Sequence, residues 1–275
     1  MTGTPLFLNG EPASGDWWNR ALLYGDGLFE TMLWVAGESS MWPWHWQRLD
    51  RGCARLGLSL PDEAQLYAEC QAALTAAEDL DATSARVIRL TLFRDNEGAR
   101  GYRTGGIKRS HRLLSLHPVP AGQGQSLSLG VSSVRLGWQP LLGGLKHLNR
   151  LEQVLASAEC EKQAWDEALM LDQGGRLISA VMGNIVFRMD NTWMTPPVDR
   201  CGIAGVTRQW LLDDGPLPIQ VCTISEHQLD KIQEIWLTNS VMGARRVKQL
   251  SGRPLACSDE AEAMSLAVAQ QLGHA

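Results

Sequence analysis

The chain has 275 residues, 44% hydrophobic and 20% charged, with a net charge of −5 and a pI near 5.7; that length suits two domains, and the acidic balance excludes a polyanion-binding surface. Its basic pairs, Arg245-Arg246 and Lys108-Arg109, make no stripe and read as solvated charges. Six cysteines without metal-ligand spacing, no apolar run of membrane-spanning length and no basic-then-apolar leader exclude a zinc site, a disulfide framework and a membrane anchor, so free thiols and a cytoplasmic location are expected.

Leu6 to Glu11 reads as a strand entering an Asn9-Gly10 hairpin turn. Residues 44–57 then carry Trp46, Leu49, Cys53 and Leu56 at helical spacing, and 61–77 predict a second helix with Pro61 at its first position. Val87 to Phe93 and Arg112 to Leu116 have strand character, which completes an N-terminal α+β domain, 1–117. Residues 118–125 concentrate Pro and Gly without periodicity and read as a linker. The C-terminal domain, 126–275, is predicted to hold a strand at 126–133, a helix at 148–163 and strands at 167–172, 176–180, 184–188 and 192–195. A helix from Gly205, strands at 217–222 and 234–239, and an amphipathic helix from Asp259 to Leu272 follow. Periodicity alone supports many two-domain α+β proteins.

Of the five lysines, Lys146 alone stands in an apolar, Gly-rich setting; Lys108, Lys162, Lys231 and Lys248 lie beside polar or charged neighbours. Loss of hydration lowers an ammonium pKa, and the neutral amine is then a nucleophile toward carbonyl carbon. Spacing equally permits a lysine whose stem covers apolar surface while its head reaches water. Ile203-Ala204-Gly205-Val206-Thr207-Arg208 opens a helix with a glycine and a hydroxyl, a pattern that serves as a plain cap or as an anion site.

The run from Gly144 to Leu155, Gly-Leu-Lys-His-Leu-Asn-Arg-Leu-Glu-Gln-Val-Leu, resembles the cofactor-lysine segment of the class IV aminotransferase family of pyridoxal-phosphate enzymes. The resemblance runs from about residue 6 to 250 and implies that family's two-domain, D-amino-acid aminotransferase-like α+β fold with pyridoxal 5'-phosphate in the cleft. It implies Lys146 as the covalent attachment point and general base, with Gly205, Val206, Thr207 and Ser240 around the phosphate. Arg48, from the His45-Trp46-Gln47-Arg48-Leu49 segment, is implied as the cation there. Tyr24 to Thr31 is similar to the family's Gly-x-x-x-Phe-Glu strand, and Thr31 matches the residue that in its lyases takes part in proton transfer. Arg89, and the turn carrying Arg94, Arg100 and Tyr102, resemble the family's substrate-carboxylate contacts, with Asn149 beside the lysine; one extra residue and a missing glycine leave Arg94 the less secure match. One departure stands out: a Gly-x-x-x-Glu pattern before Asn184 supplies the family's partner for the pyridine nitrogen, and Ala180 is read at the glutamate's place, with Ser179 or a water as a neutral substitute. The resemblance implies a homodimer that eliminates pyruvate from 4-amino-4-deoxychorismate to give 4-aminobenzoate, without a metal. A D-amino-acid or branched-chain transaminase and a non-catalytic paralogue remain alternatives.

Overall fold

The computed structural model describes residues 7–9, 11–12, 19–76, 85–96, 101–107 and 109–274. It opens on the expected hairpin, β1 (Phe7–Leu8) and β2 (Glu11–Pro12), with Leu8 opposite Glu11 and Asn9 at φ 53°, a left-handed conformation that asparagine tolerates. Leu6 and Gly10 of that reading lie outside the described residues. A short helix that periodicity does not reveal, α1 (Arg20–Tyr24), follows; Asn19 caps it by accepting the Leu22 N–H at 2.9 Å.

β3 (Gly27–Trp34), β4 (Arg86–Arg94) and β5 (Ser110–Pro118) form an antiparallel sheet, crossed by α2 (Trp42–Leu56) and α3 (Glu63–Ala76). Two boundaries differ from expectation. Helix α2 starts two residues early, at Trp42, with Pro43 in its first turn. Helix α3 starts at Glu63, because Asp62 caps it by accepting the Gln65 N–H at 2.9 Å and so leaves Pro61 outside. Strand alternation gives the sheet two uses. Leu28, Met32 and Trp34 pack with Ile88, Leu90 and Leu92 under Leu49 and Cys53 of α2, while Phe29 and Thr31 occupy the opposite face.

The second sheet has nine strands: β6 (Leu127–Leu136), β7 (Glu167–Asp172), β8 (Leu177–Ala180), β9 (Asn184–Met189), β10 (Thr192–Thr195), β11 (Ile219–Val221), β12 (Glu234–Asn239), β13 (Gly243–Leu250) and β14 (Arg253–Pro254). Their order is β11-β10-β9-β12-β13-β6-β7-β8, with β14 on β13. One cluster holds Leu177 from one edge strand together with Phe187, Met194, Ile235 and Val247, so the sheet curls around a shared interior into a half-barrel. Helices α4 (Leu151–Gln163), α5 (Val206–Asp213) and α6 (Asp259–Leu272) lie outside it. A second cluster joins Trp210, Trp236, Met264 and Val268 to Met41, Leu33 and Val87, so apolar burial runs continuously across residues 118–125.

Glu167 holds one end of the half-barrel. Its buried carboxylate accepts the N–H groups of Ala168, Val181 and Met182 at 2.9–3.2 Å, which satisfies the turn between β8 and β9. Arg94 is equally occupied. Buried at 4% exposure, it donates to the Leu56, Gly57 and Ile107 carbonyls and to Asp26, so it closes the C-terminal end of α2 and is not a substrate fork.

Candidate active site

Residues 144–148 are not helical, although leucines at 145, 148 and 151 match helical spacing. The expected helix start at 148 is therefore corrected to Leu151. The reason is a non-local set of backbone bonds: Phe29 N–H donates to the Lys146 carbonyl at 2.9 Å, and Leu148 N–H to the Gly27 carbonyl at 3.1 Å. On its other side Gly144 exchanges bonds with the segment before α5, donating to the Gly202 carbonyl and accepting from the Ala204 N–H. Gly143 is needed for this close approach, since a Cβ there would lie 2.3 Å from the Asp199 carbonyl oxygen. Lys146 is thus fixed between β3 and the start of α5.

Its amine lies 4.2 Å from the centre of the Phe29 ring. Burial, reinforced by the nearby Arg48 charge, lowers its pKa from 10.5 to about 7. Of the other lysines, Lys162, Lys231 and Lys248 are exposed, and Lys108 lies outside the described residues. Lys146 therefore gains or loses its charge close to neutral pH.

At the start of α5, Asn184 accepts the Gly205 N–H at 3.0 Å and donates to the Ile203 carbonyl at 2.9 Å. Val206 and Thr207 follow as the first two helical residues, whose amides lack intrahelical partners. The Thr207 hydroxyl is buried and has no hydrogen-bond partner among the described residues. Arg48 reaches the same place from α2, donating from Nη1 to the Ala204 carbonyl at 3.0 Å. Its Nε and Nη2 donate to Glu30 at 2.8 and 2.5 Å, and His45 Nδ1 lies 2.6 Å from the same carboxylate. Burial alone would raise the Glu30 pKa; the Arg48 charge and the hydrogen bonds from Arg48 and His45 outweigh it and hold the carboxyl at about 2. Burial dominates at His45 and lowers its pKa, so the ring is neutral and donates through Nδ1.

Thr31 stands directly opposite Arg89 on the paired strands, on the face that carries Phe29. The Arg89 guanidinium lies 4.2 Å from the Phe29 ring centre, and burial lowers its pKa. Phe29 thus touches both Arg89 and Lys146. Ser240, after β12, donates its hydroxyl to the Thr31 carbonyl at 2.8 Å, so its proton is engaged with β3. Asn149 is exposed and donates to the Gly25 carbonyl at 3.2 Å, which holds the lysine segment to the end of α1. Tyr102 is 86% exposed, with its ring 5.3 Å from Tyr24, and is not gathered with this group. Arg100 lies outside the described residues.

The departure read at Ala180 moves by one residue. Ala180 packs with Leu169 in the half-barrel interior, whereas Ile178 joins Met170, Cys201 and Ala156 of α4 on the outer face. A bulge between Met170 and Leu171 sets this parity, and Ser179, paired with Met170, shares that outer face. Counting four residues on from Gly175 also ends at Ser179. A neutral hydroxyl, not a methyl group, therefore stands at the position that the count from Gly175 gives to the glutamate.

A neutral amine, an orphaned buried hydroxyl at a helix start and an arginine aimed at the same turn fit an aldehyde-bearing, phosphorylated cofactor. This combination on an α+β half-barrel defines a pyridoxal-phosphate-dependent enzyme. The family model of amino-transferase class IV matches residues 27–250, and the chain belongs to that family. It is 31% identical to aminodeoxychorismate lyase of Vibrio harveyi over 90% of this chain and 91% of that protein. It is also 25% identical to a putative branched-chain-amino-acid aminotransferase of Methanocaldococcus jannaschii, over 90% of this chain and 88% of that one. The crystal structure of 4-amino-4-deoxychorismate lyase from Pseudomonas aeruginosa superposes with a TM-score of 0.81 at 36% identity, covering 96% of this chain and 98% of that chain.

Proposed function

We propose that the chain is a cytoplasmic aminodeoxychorismate lyase, which eliminates pyruvate from 4-amino-4-deoxychorismate to give 4-aminobenzoate for folate synthesis. The observation that carries this reading is the pairing of Thr31 with Arg89 on the sheet face that also presents Phe29 toward Lys146. When bound, the cofactor supplies a carbonyl carbon for the lysine amine and a ring that withdraws electrons from the substrate. Lys146 accepts the proton lost from the substrate ring, the carbon–oxygen bond to the enolpyruvyl group breaks, and Thr31 assists proton delivery to that departing group. Arg48, Val206, Thr207 and Ser240 anchor the phosphate; Ser240 does so after turning its proton away from the Thr31 carbonyl.

The neutral Ser179 supports elimination over reversible transamination. No carboxylate at that position offsets a protonated ring nitrogen, and an aromatic product lowers the demand for a strong electron sink. Incubation with 4-amino-4-deoxychorismate should release fluorescent 4-aminobenzoate and pyruvate; glutamate formation from an amino acid and 2-oxoglutarate, without that release, would replace this reading by a transaminase.

Arg89 and Arg100 orient the substrate carboxylates in this scheme. Arg89→Gln should raise KM by about 10- to 100-fold, the worth of a charge-assisted carboxylate contact. A change in kcat alone at unaltered KM would remove Arg89 from substrate binding.

The enzyme acts as a homodimer in this reading, which gives the surface-lying Tyr102 turn a neighbouring site to reach. Helix α4 supports it by exposing Leu151 at 77%, Val154 at 60% and Leu155 at 61%, three residues on one helical face. Light scattering should report a dimer for the wild type and a monomer for Leu151→Glu/Leu155→Glu. A wild-type monomer would remove the dimer from the proposal.

A further inference from the structure

We propose that Glu30 is a positioning residue for the phosphate end of the cofactor, acting through Arg48, which it aims at the turn formed by Ala204 to Thr207. The inference rests on the assignment of the phosphate to that turn.

The geometry is a three-point fixation. A guanidinium has five N–H groups; Nε and Nη2 of Arg48 each give one to Glu30, and Nη1 gives one to the Ala204 carbonyl. Three bonds fix the plane and leave two N–H groups, one on each terminal nitrogen, for an anion beside Ala204. His45 closes the second side of the carboxylate, so Glu30 cannot follow Arg48 if the guanidinium swings away. Glu30 and Arg48 are both buried, at 2% and 5% exposure. A buried ion pair is weak as a source of stability, because desolvation consumes most of the attraction. What it supplies is one orientation for a side chain that otherwise has many rotamers.

Charge points the same way. Of the charged groups that act most strongly on the Lys146 amine, Arg48, Arg150 and Arg89 are cationic and Glu30 is anionic. Glu30 therefore offsets Arg48 on the lysine side, while Nη1 of Arg48 stays bonded to the turn at Ala204.

The test compares two ligands with the same aldehyde, pyridoxal 5'-phosphate and pyridoxal, by absorbance titration of the protein stripped of cofactor. Glu30→Gln should raise the Kd for pyridoxal phosphate by about 30-fold, as expected for a lost charge-assisted orientation, and change that for pyridoxal by less than about 3-fold. In the Arg48→Met background the same substitution should add nothing further, since its effect passes through Arg48. Equal weakening of both ligands, unchanged affinity for the phosphate form, or additive losses in the double variant would each overturn the proposal. Should Glu30→Gln not fold, as judged by near-ultraviolet circular dichroism, Glu30→Asp decides it by the same three readings, because the retracted carboxylate keeps its charge and cannot span both Arg48 nitrogens. Loss of lyase activity with phosphate-selective binding intact would count against the reaction assigned above and leave this inference standing.

Discussion

Lys146→Ala should abolish the visible absorption band of bound pyridoxal phosphate and reduce kcat by at least about three orders of magnitude, on the order of 4 kcal/mol of barrier. The effect is this large because, in the proposed scheme, one amine serves both as the attachment point and as the proton acceptor, so the alanine would lose two functions together. Position also matters. The Lys146 carbonyl is bonded to the Phe29 N–H, which fixes the residue in place, and its neighbours Leu145 and His147 carry no amine to substitute for it. The pH dependence gives a second reading. With its pKa lowered from 10.5 to about 7, the amine is protonated and unreactive below that value and free above it. Cofactor uptake by the wild type should therefore rise through pH 7 and level off well before the range in which an exposed lysine loses its proton. Uptake that keeps climbing to pH 10, or an alanine variant that retains the band, would place the reactive amine elsewhere in the chain.

Elements with local signals were legible in the sequence, and arrangements made by distant partners were not. The strand from Glu167 to Asp172 and the helix from Asp259 to Leu272 have the residue limits their patterns predict, because a short apolar run bounded by acids marks the first and amphipathicity with a flanking Ser258 cap marks the second. The lysine segment misled at its end. Its leucines carry helical spacing, yet the backbone is held out of a helix by bonds to Gly27 and Phe29, far earlier in the chain. Strand β13 escaped notice because Arg245, Arg246 and Lys248 break its apolar alternation. Glu30 and His45 were visible as letters in recognisable segments. Their mutual contact depends on α2 crossing β3, which no spacing within either segment reveals. Asn184 marked a strand start in the reading, while its grip on both sides of Ala204 required the turn before α5 to come alongside β9. Ser179 was legible: four residues on from Gly175 is Ser179, not Ala180, and the pairing of Ser179 with Met170 agrees with that count.

Gly205→Ala should raise the Kd for pyridoxal phosphate by about 100-fold, close to 3 kcal/mol, while leaving the fold in place. The backbone at Gly205 is ordinary, with φ −67° and ψ 142°, so any residue could adopt it and conformational freedom is not the reason for glycine. Space is. A Cβ at this position would lie 2.0 Å from the Asn184 Oδ1, the same atom that accepts the Gly205 N–H at 3.0 Å. The methyl group must therefore expel the side chain that holds the turn, and the Ile203 carbonyl loses its donor in the same movement. The first-turn amides of Val206 and Thr207 then lose their fixed direction, and a phosphate bound through several aligned donors is sensitive to each of them. A double-mutant cycle separates this account from general damage. In an Asn184→Ala background the clash is removed along with the anchor, so Gly205→Ala should cost less than about 3-fold beyond Asn184→Ala itself. A full 100-fold loss in both backgrounds would show that the glycine serves the bound phosphate directly, through closeness of approach, and that Asn184 plays no part in its selection.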